Sequence, residues 1–309
     1  MRRYRKVIRV CAEDSPNVRL ALDQIAKGEQ PTGEILCPGV LSYDEYRKRR
    51  ATWDAVRQCI GLDGCFYKGA ELLLFPPEWL NRSEQLAREL RDKHRIARAI
   101  GIDTAQGGDN TAMCAGDEQG VMELASGKTP NTAVITGEVI AFGRKHNVDP
   151  SCWLFDRGGG GREHADRLRM QGYKGVRTVG FGESVSLEPR RGLHQLTARK
   201  EVMEERYAYK NRRAQMYYEL SQACDPSTGP GYAIPAEYAE LRRQMALIPR
   251  ETDEEGRLKI RPKQRRDDKD TRETLTEMLG CSPDELDATV LMYHGIMHKP
   301  VRTHAGVVT

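Results

Sequence analysis

Beyond about residue 96, short apolar runs alternate with longer segments whose apolar positions recur at helical spacing. Residues 96–102 predict a strand that stops at Asp103, 111–115 and 120–124 its antiparallel neighbours, and 132–146 a helix. Cys152-Trp153-Leu154-Phe155 is a buried-strand pattern that stops at Asp156. After Gly158 to Gly161, residues 162–171 predict a helix closed by Gly172, and 176–179 another strand. A helix follows near 207–223, then a Pro-Gly loop at 226–231, a helix from about Pro235, and strand-like pieces at 247–248 and 258–260. The charged stretch 261–270 reads as mobile. A last helix, with Ser282 as N-cap and Pro283 at its first position, carries Asp287, Val290 and Leu291. There is no internal repeat.

The earlier part is a short, mainly helical region. Ser42, with Glu45 three residues on, predicts a capped helix running through Trp53 and Val56 toward Gly61. Pro76-Pro77 is expected to interrupt regular structure ahead of Trp79, and 82–95 reads as a charged helix or linker. These changes divide the chain into a helical segment (1–95), an α/β domain (96–298) and a flexible tail (299–309).

The 309 residues are 39% hydrophobic and 30% charged, with mean hydropathy −0.66, enough apolar content for a core of ordinary size. No apolar run approaches the roughly 20 residues of a membrane span, so the chain is expected to be soluble. The basic start at residues 1–6 leads into Val7-Ile8-Arg9-Val10 and then Glu13-Asp14, without the apolar stretch of a signal peptide. None of the eight cysteines forms a Cys-x-x-Cys pair, which fits reduced thiols in a cytoplasm rather than a zinc or redox motif. A net charge of +4 argues against nucleic-acid binding by bulk charge alone. It leaves local clusters at 47–50, 190–191, 210–213 and 261–266 as candidate phosphate contacts, each of which would otherwise be a solvated face.

Asp103 and Asp156 each end an apolar strand, where open sheets present functional groups. Asp287 lies one turn into a helix whose apolar face must pack on that sheet. Three carboxylates converging this way repel one another unless cations neutralise them. Hard divalent ions such as Mg²⁺ or Mn²⁺ take oxygen ligands, and two together can serve phosphodiester hydrolysis. Asp109 adds a carboxylate after Gly107-Gly108, and Gly158 to Gly161 leave space beside Asp156 for a phosphate. His294 and His298 have i, i+4 spacing, but no Glu follows His294 as in zinc proteases, and both read as surface histidines. No phosphate-binding Gly-x-x-x-x-Gly-Lys-Ser/Thr occurs. Gly28 and Gly33 are followed by Glu34-Ile35, and Gly127-Lys128-Thr129 has Met122 where the first glycine belongs.

Asp103-x-Ala105-x-Gly107-Gly108-Asp109, Asp156 with its glycines, Lys210-Asn211-Arg212-Arg213-Ala214 and Ser282-Pro283-Asp284-Glu285-Leu286-Asp287-Ala288, in this order, resemble the nuclease domain of tailed-phage terminase large subunits. The resemblance covers roughly residues 96–296. It implies an RNase H-like mixed sheet flanked by helices and two-metal (Mg²⁺ or Mn²⁺) cleavage of concatemeric double-stranded DNA during packaging. Asp103, Asp156 and Asp287 would be the metal ligands and catalytic carboxylates, with Asp109 and Asp284 auxiliary. Lys210, Arg212 and Arg213 would lie near the DNA. Asp14-Ser15-Pro16-Asn17-Val18, residues 43–53 and Gly61-Leu62-Asp63-Gly64-Cys65-Phe66 resemble the end of the terminase ATPase region and its linker. The implied partners are a small terminase subunit, the portal protein and a separate ATPase part, and the implied location is the host cytoplasm and, transiently, the procapsid portal. Two other readings stay open: an RNase H-like junction resolvase, and a non-catalytic DNA or portal docking module.

Overall fold

A computed structural model of the chain describes residues 9–53, 58–59, 61–65, 73–105, 110–129, 131–185, 208–265 and 273–298. The chain divides at Leu72 into two compact units, rather than at residue 96.

The first unit contains α1 (Pro16–Ala26) and α2 (Tyr43–Thr52). Pro16 at the first position of α1 has the fixed φ that a helix start accepts. The Ser42 hydroxyl caps α2 by accepting from the Glu45 amide at 3.2 Å. The helix ends where Trp53 turns extended, short of the expected run toward Gly61. Val18, Tyr46 and Leu62 form a small core. Beside them buried Asn17 donates to the Cys37 carbonyl at 3.0 Å and accepts from its amide at 2.9 Å.

In the second unit Pro76 and Pro77 start a helix instead of interrupting one: α3 (Pro77–Leu90) has Pro76 as N-cap and Pro77 at its first position. It buries Leu80, Ser83, Leu86 and Leu90, with Leu86 and Leu90 against Ala233. This packing makes α3 part of the second unit. A five-stranded mixed sheet follows, in the order β3-β2-β1-β4-β5. β1 (Ala99–Asp103), β2 (Asn110–Asp117) and β3 (Gly120–Lys128) are antiparallel; β4 (Trp153–Asp156) and β5 (Arg177–Val179) run parallel to β1. β1 is central, and all five of its residues are buried, which explains its unbroken apolar run.

Helices cover both faces. Along β4, Trp153 meets Gly143 of α4 (Ile135–Lys145) and Phe155 meets Gly161 of α5 (Gly161–Met170), whereas Leu154 points the other way, to Gly295. That second face is filled by α9 (Asp284–Met297), which packs on β1, β2 and β4, with α6 (Arg212–Cys224) and α7 (Ala239–Ala246) against α9. The layout is the RNase H-like α/β arrangement expected. A short hairpin of β6 (Glu251–Thr252) and β7 (Leu258–Lys259) and a capped helix α8 (Leu275–Leu279) intervene. Residues 261–265, expected to be mobile, are hydrogen-bonded to the fold: Arg261 donates to Glu251 at 2.7 Å, and the Leu275 amide donates to the Pro262 carbonyl at 2.9 Å. The rest of that charged stretch, 266–270, lies outside the described residues. Pro283, not Ser282, occupies the cap position of α9, so the helix starts one residue later than expected. Among the described residues no helix is long and apolar enough to cross a membrane.

Candidate metal and DNA site

The register of β1 and β4 brings two carboxylates together. Ile102 pairs with Phe155 across parallel strands, so the next residues, Asp103 and Asp156, end neighbouring strands spaced about 4.8 Å apart. Gly101 and Asp103 share one face of β1, and Leu154 and Asp156 one face of β4. Both are the α9 face, because a Cβ on Gly101 would lie 2.0 Å from the Ala288 carbonyl oxygen and 2.4 Å from the Met292 amide. Glycine at 101 therefore lets α9 lie directly on the strand. α9 runs opposite to β1, with Ala288 over Gly101 and Gly295 over Ala99 and Leu154. Its first turn, carrying Asp284 and Asp287, thus arrives at the strand ends that carry Asp103 and Asp156. The helix dipole favours carboxylates there.

Asp287 is fully buried and held from three sides. Arg213 of α6 donates to both carboxylate oxygens at 3.2 Å, Tyr217 one turn later donates at 2.5 Å, and Lys263 Nζ lies 2.6 Å away. The same ammonium reaches Asp103 Oδ2 at 3.0 Å and Asp284 Oδ1 at 3.7 Å. Asp284 also accepts from the Asn110 amide at 3.1 Å, which ties it to the start of β2. Burial pushes the Asp103 carboxyl up to about 7; Lys263 opposes the rise and the neighbouring aspartates add to it. Asp156 is raised by burial and by Asp287, and Asp284 chiefly by burial. Burial acts the same way on Asp287, but Arg213, Lys263 and Tyr217 outweigh it and hold this carboxyl below the usual range. One carboxylate is thus kept charged by fixed cations, beside others that resist ionising.

The structure brings together Asp103, Asp156, Asp284 and Asp287. Asp109 lies outside the described residues. The three basic residues differ in their surroundings. Lys210 is exposed at the rim of a cavity of about 290 Å³ that Lys259, Arg261 and Arg265 also line. Arg212 is engaged with Glu183 at 3.0 Å. Arg213 is buried, 8% exposed, on Asp287, and it also lines that cavity. The glycines beside Asp156 also have conformational reasons. Gly159 and Gly160 adopt φ of 55° and 80°, and a Cβ on Gly161 would lie 1.9 Å from the Asp156 carbonyl oxygen. His294 and His298 are each 1% exposed, not on the surface as expected, because α6 covers that side of α9 and places Glu219 against both rings.

Sequence reasoning singled out neither Tyr217 nor Gly101, and took Lys263 only as one of the 261–266 cluster of candidate phosphate contacts. Lys263 lies in a charged run that carries no periodicity. Tyr217 had a signal, its i+4 spacing from Arg213, and so did Gly101, a glycine inside an apolar strand.

No protein-family model and no curated protein matches the chain. Among solved structures, the nuclease domain of the large terminase subunit gp2 of bacterial virus Sf6 is similar at 18% identity and a TM-score of 0.53, over 72% of this chain and 98% of that one. Its K428A mutant with manganese and beta-thujaplicinol is similar at 17% identity and a TM-score of 0.54, over 72% and 98%. The K428A mutant with calcium is similar at 18% and 0.53, over 72% and 99%. The chain therefore has the fold of the nuclease domain of a phage large terminase subunit.

Proposed function

We propose that the chain is a divalent-metal-dependent endonuclease that cuts concatemeric double-stranded DNA during phage genome packaging. The observation that carries this reading is the convergence of Asp103, Asp156 and Asp287 from two neighbouring strand ends and one helix start. The donor set fits Mg²⁺ or Mn²⁺: every ligand is a carboxylate oxygen, and Asp103 and Asp156 are raised by burial and by the neighbouring aspartates in the way a hard cation would relieve. Ions bound there would supply Lewis-acid activation of water and neutralise charge on the phosphodiester. The manganese and calcium forms of the Sf6 domain support this choice.

The chain's own residues do the positioning. Asp287 is fixed in place and in charge by Arg213 and Tyr217, so its geometry does not depend on solvent. Lys263 sits between Asp103 and Asp287, where a cation can also meet a phosphate oxygen. Lys210 and the basic cavity beside it offer sequence-independent backbone contacts. Among the described residues no helix of a base-reading motif is evident; the site of cutting would be directed by a small terminase subunit, the portal protein and the ATPase part, in the host cytoplasm.

The test is to offer the purified chain linear duplex and four-way-junction DNA with Mn²⁺, Mg²⁺ or EDTA. Cutting of plain duplex with either metal and none in EDTA is expected. Cutting confined to the junction would replace this reading with a resolvase.

A further inference from the structure

A second cluster of ligating groups lies along the same helix pair. His294, in the last turn of α9, and His298, its C-cap, are four residues apart, with ring centroids 4.3 Å apart. Glu219 reaches them from α6: its Oε2 is 3.5 Å from His294 Nδ1 and its Oε1 is 3.0 Å from His298 Nε2. One donor atom from each residue lies within 4.8 Å of the others, and all three residues are buried.

We infer that Glu219, His294 and His298 form a site for zinc or a similar transition ion that fastens α9 to α6. Two imidazoles and a carboxylate are a donor set that zinc accepts, unlike the all-oxygen set of the aspartates. The spacing agrees. Bonds of about 2.0–2.2 Å at a tetrahedral angle put neighbouring donors roughly 3.3–3.6 Å apart; Glu219 Oε2 and His294 Nδ1 stand 3.5 Å apart, and with all three donors within 4.8 Å of one another the widest gap need close by no more than about 1.5 Å. The protonation states agree as well: burial pushes His294 down, toward the neutral form a ligand needs, and the two histidines hold Glu219 below the usual carboxylate range against the effect of its burial. Glu219 also lines a cavity with Gln222, Tyr232, Tyr293 and Met297, a route by which an ion and a water ligand can enter.

The position of the cluster gives the ion a structural task. On α6, Glu219 follows Tyr217 by two residues; on α9, His294 lies seven residues, about 10 Å of helix, from Asp287. An ion joining Glu219 to the histidines would fix the register of the two helices that also meet through Arg213, Tyr217 and Asp287.

The experiment uses the full chain, dialysed against metal-free buffer after expression with zinc, its metal content measured by mass spectrometry. About one zinc per chain is expected in wild type and in Asp287→Asn, and loss of it in His294→Gln and His298→Gln. Co²⁺ added to zinc-stripped wild type should give the intense visible absorption of a tetrahedral site, abolished by one equivalent of zinc. That titration needs no variant and decides the matter if the histidine variants fail to fold. Wild type that retains no zinc and shows no cobalt absorption, or histidine variants that fold and retain zinc equally, would overturn the site and leave a buried hydrogen-bonded triad.

Discussion

Asp103 and Asp287 sit a single ammonium apart and are pushed in opposite directions: burial raises Asp103 to about 7, and Arg213, Lys263 and Tyr217 overcome burial to lower Asp287. A carboxyl raised in the folded state takes up protons on folding between its ordinary value of 3.8 and about 7. Without divalent ions its contribution to stability therefore declines as pH rises through that window. Divalent ions compete with those protons, so the gain in Tm on adding Mn²⁺ should be larger near about pH 8 than near about pH 5. Equal gains at both, measured by thermal melts at matched ionic strength, would remove Asp103 from the ligand set. A second contrast separates two basic residues that sequence alone placed together. Arg213→Ala leaves Asp287 buried beside a lost partner and should cost about 3–5 kcal/mol in urea unfolding. Lys210→Ala should leave stability within about 0.5 kcal/mol and weaken DNA binding instead. The reverse ranking would contradict the roles assigned here.

At the scale of elements, α9 matters most, because it delivers Asp284 and Asp287 and its seat depends on small residues. Gly101 admits the backbone at Ala288 and Met292, and Gly295 admits Leu154 and Ala99. Gly101→Ala forces α9 away from β1; overpacking of this kind costs about 1–3 kcal/mol, and cleavage should fall further than stability because Asp287 moves with the helix. Unchanged activity in a folded Gly101→Ala protein would show that this seat does not set the site. The strand ends at Asp103 and Asp156 were legible because an apolar run stops at each, and α9 because Ser282 and Pro283 mark a helix start. Lys263 was not: it is 160 residues from Asp103 in sequence, in a charged segment with no periodicity, and only the packing of the β6–β7 hairpin and α8 directs it inward. Pro76-Pro77 misled for a related reason, since a proline pair is equally compatible with a break and with a helix start.

For the molecule as a whole, the RNase H-like mixed sheet flanked by helices was implied by resemblance and is the arrangement found, whereas the division of the chain at Leu72 was not legible. Of the two readings of residues 82–95, charged helix or linker, the helix is found through Leu90, with an apolar side that buries Leu86 and Leu90. The burial of His294 and His298 was equally hidden, because it depends on α6 lying across α9. All the parts named for cleavage belong to the second unit: the aspartates, the cations that hold Asp287, and the basic cavity.

The most direct measurement is the nicking and linearisation of supercoiled plasmid by wild type, Asp103→Asn and Asp287→Asn side by side, each shown to be folded, with Mn²⁺, Mg²⁺ or EDTA. Cleavage that requires metal and disappears in both variants is the predicted result. Cleavage that persists in EDTA, or that survives in either folded variant, would contradict the claim that these carboxylates form the cutting centre.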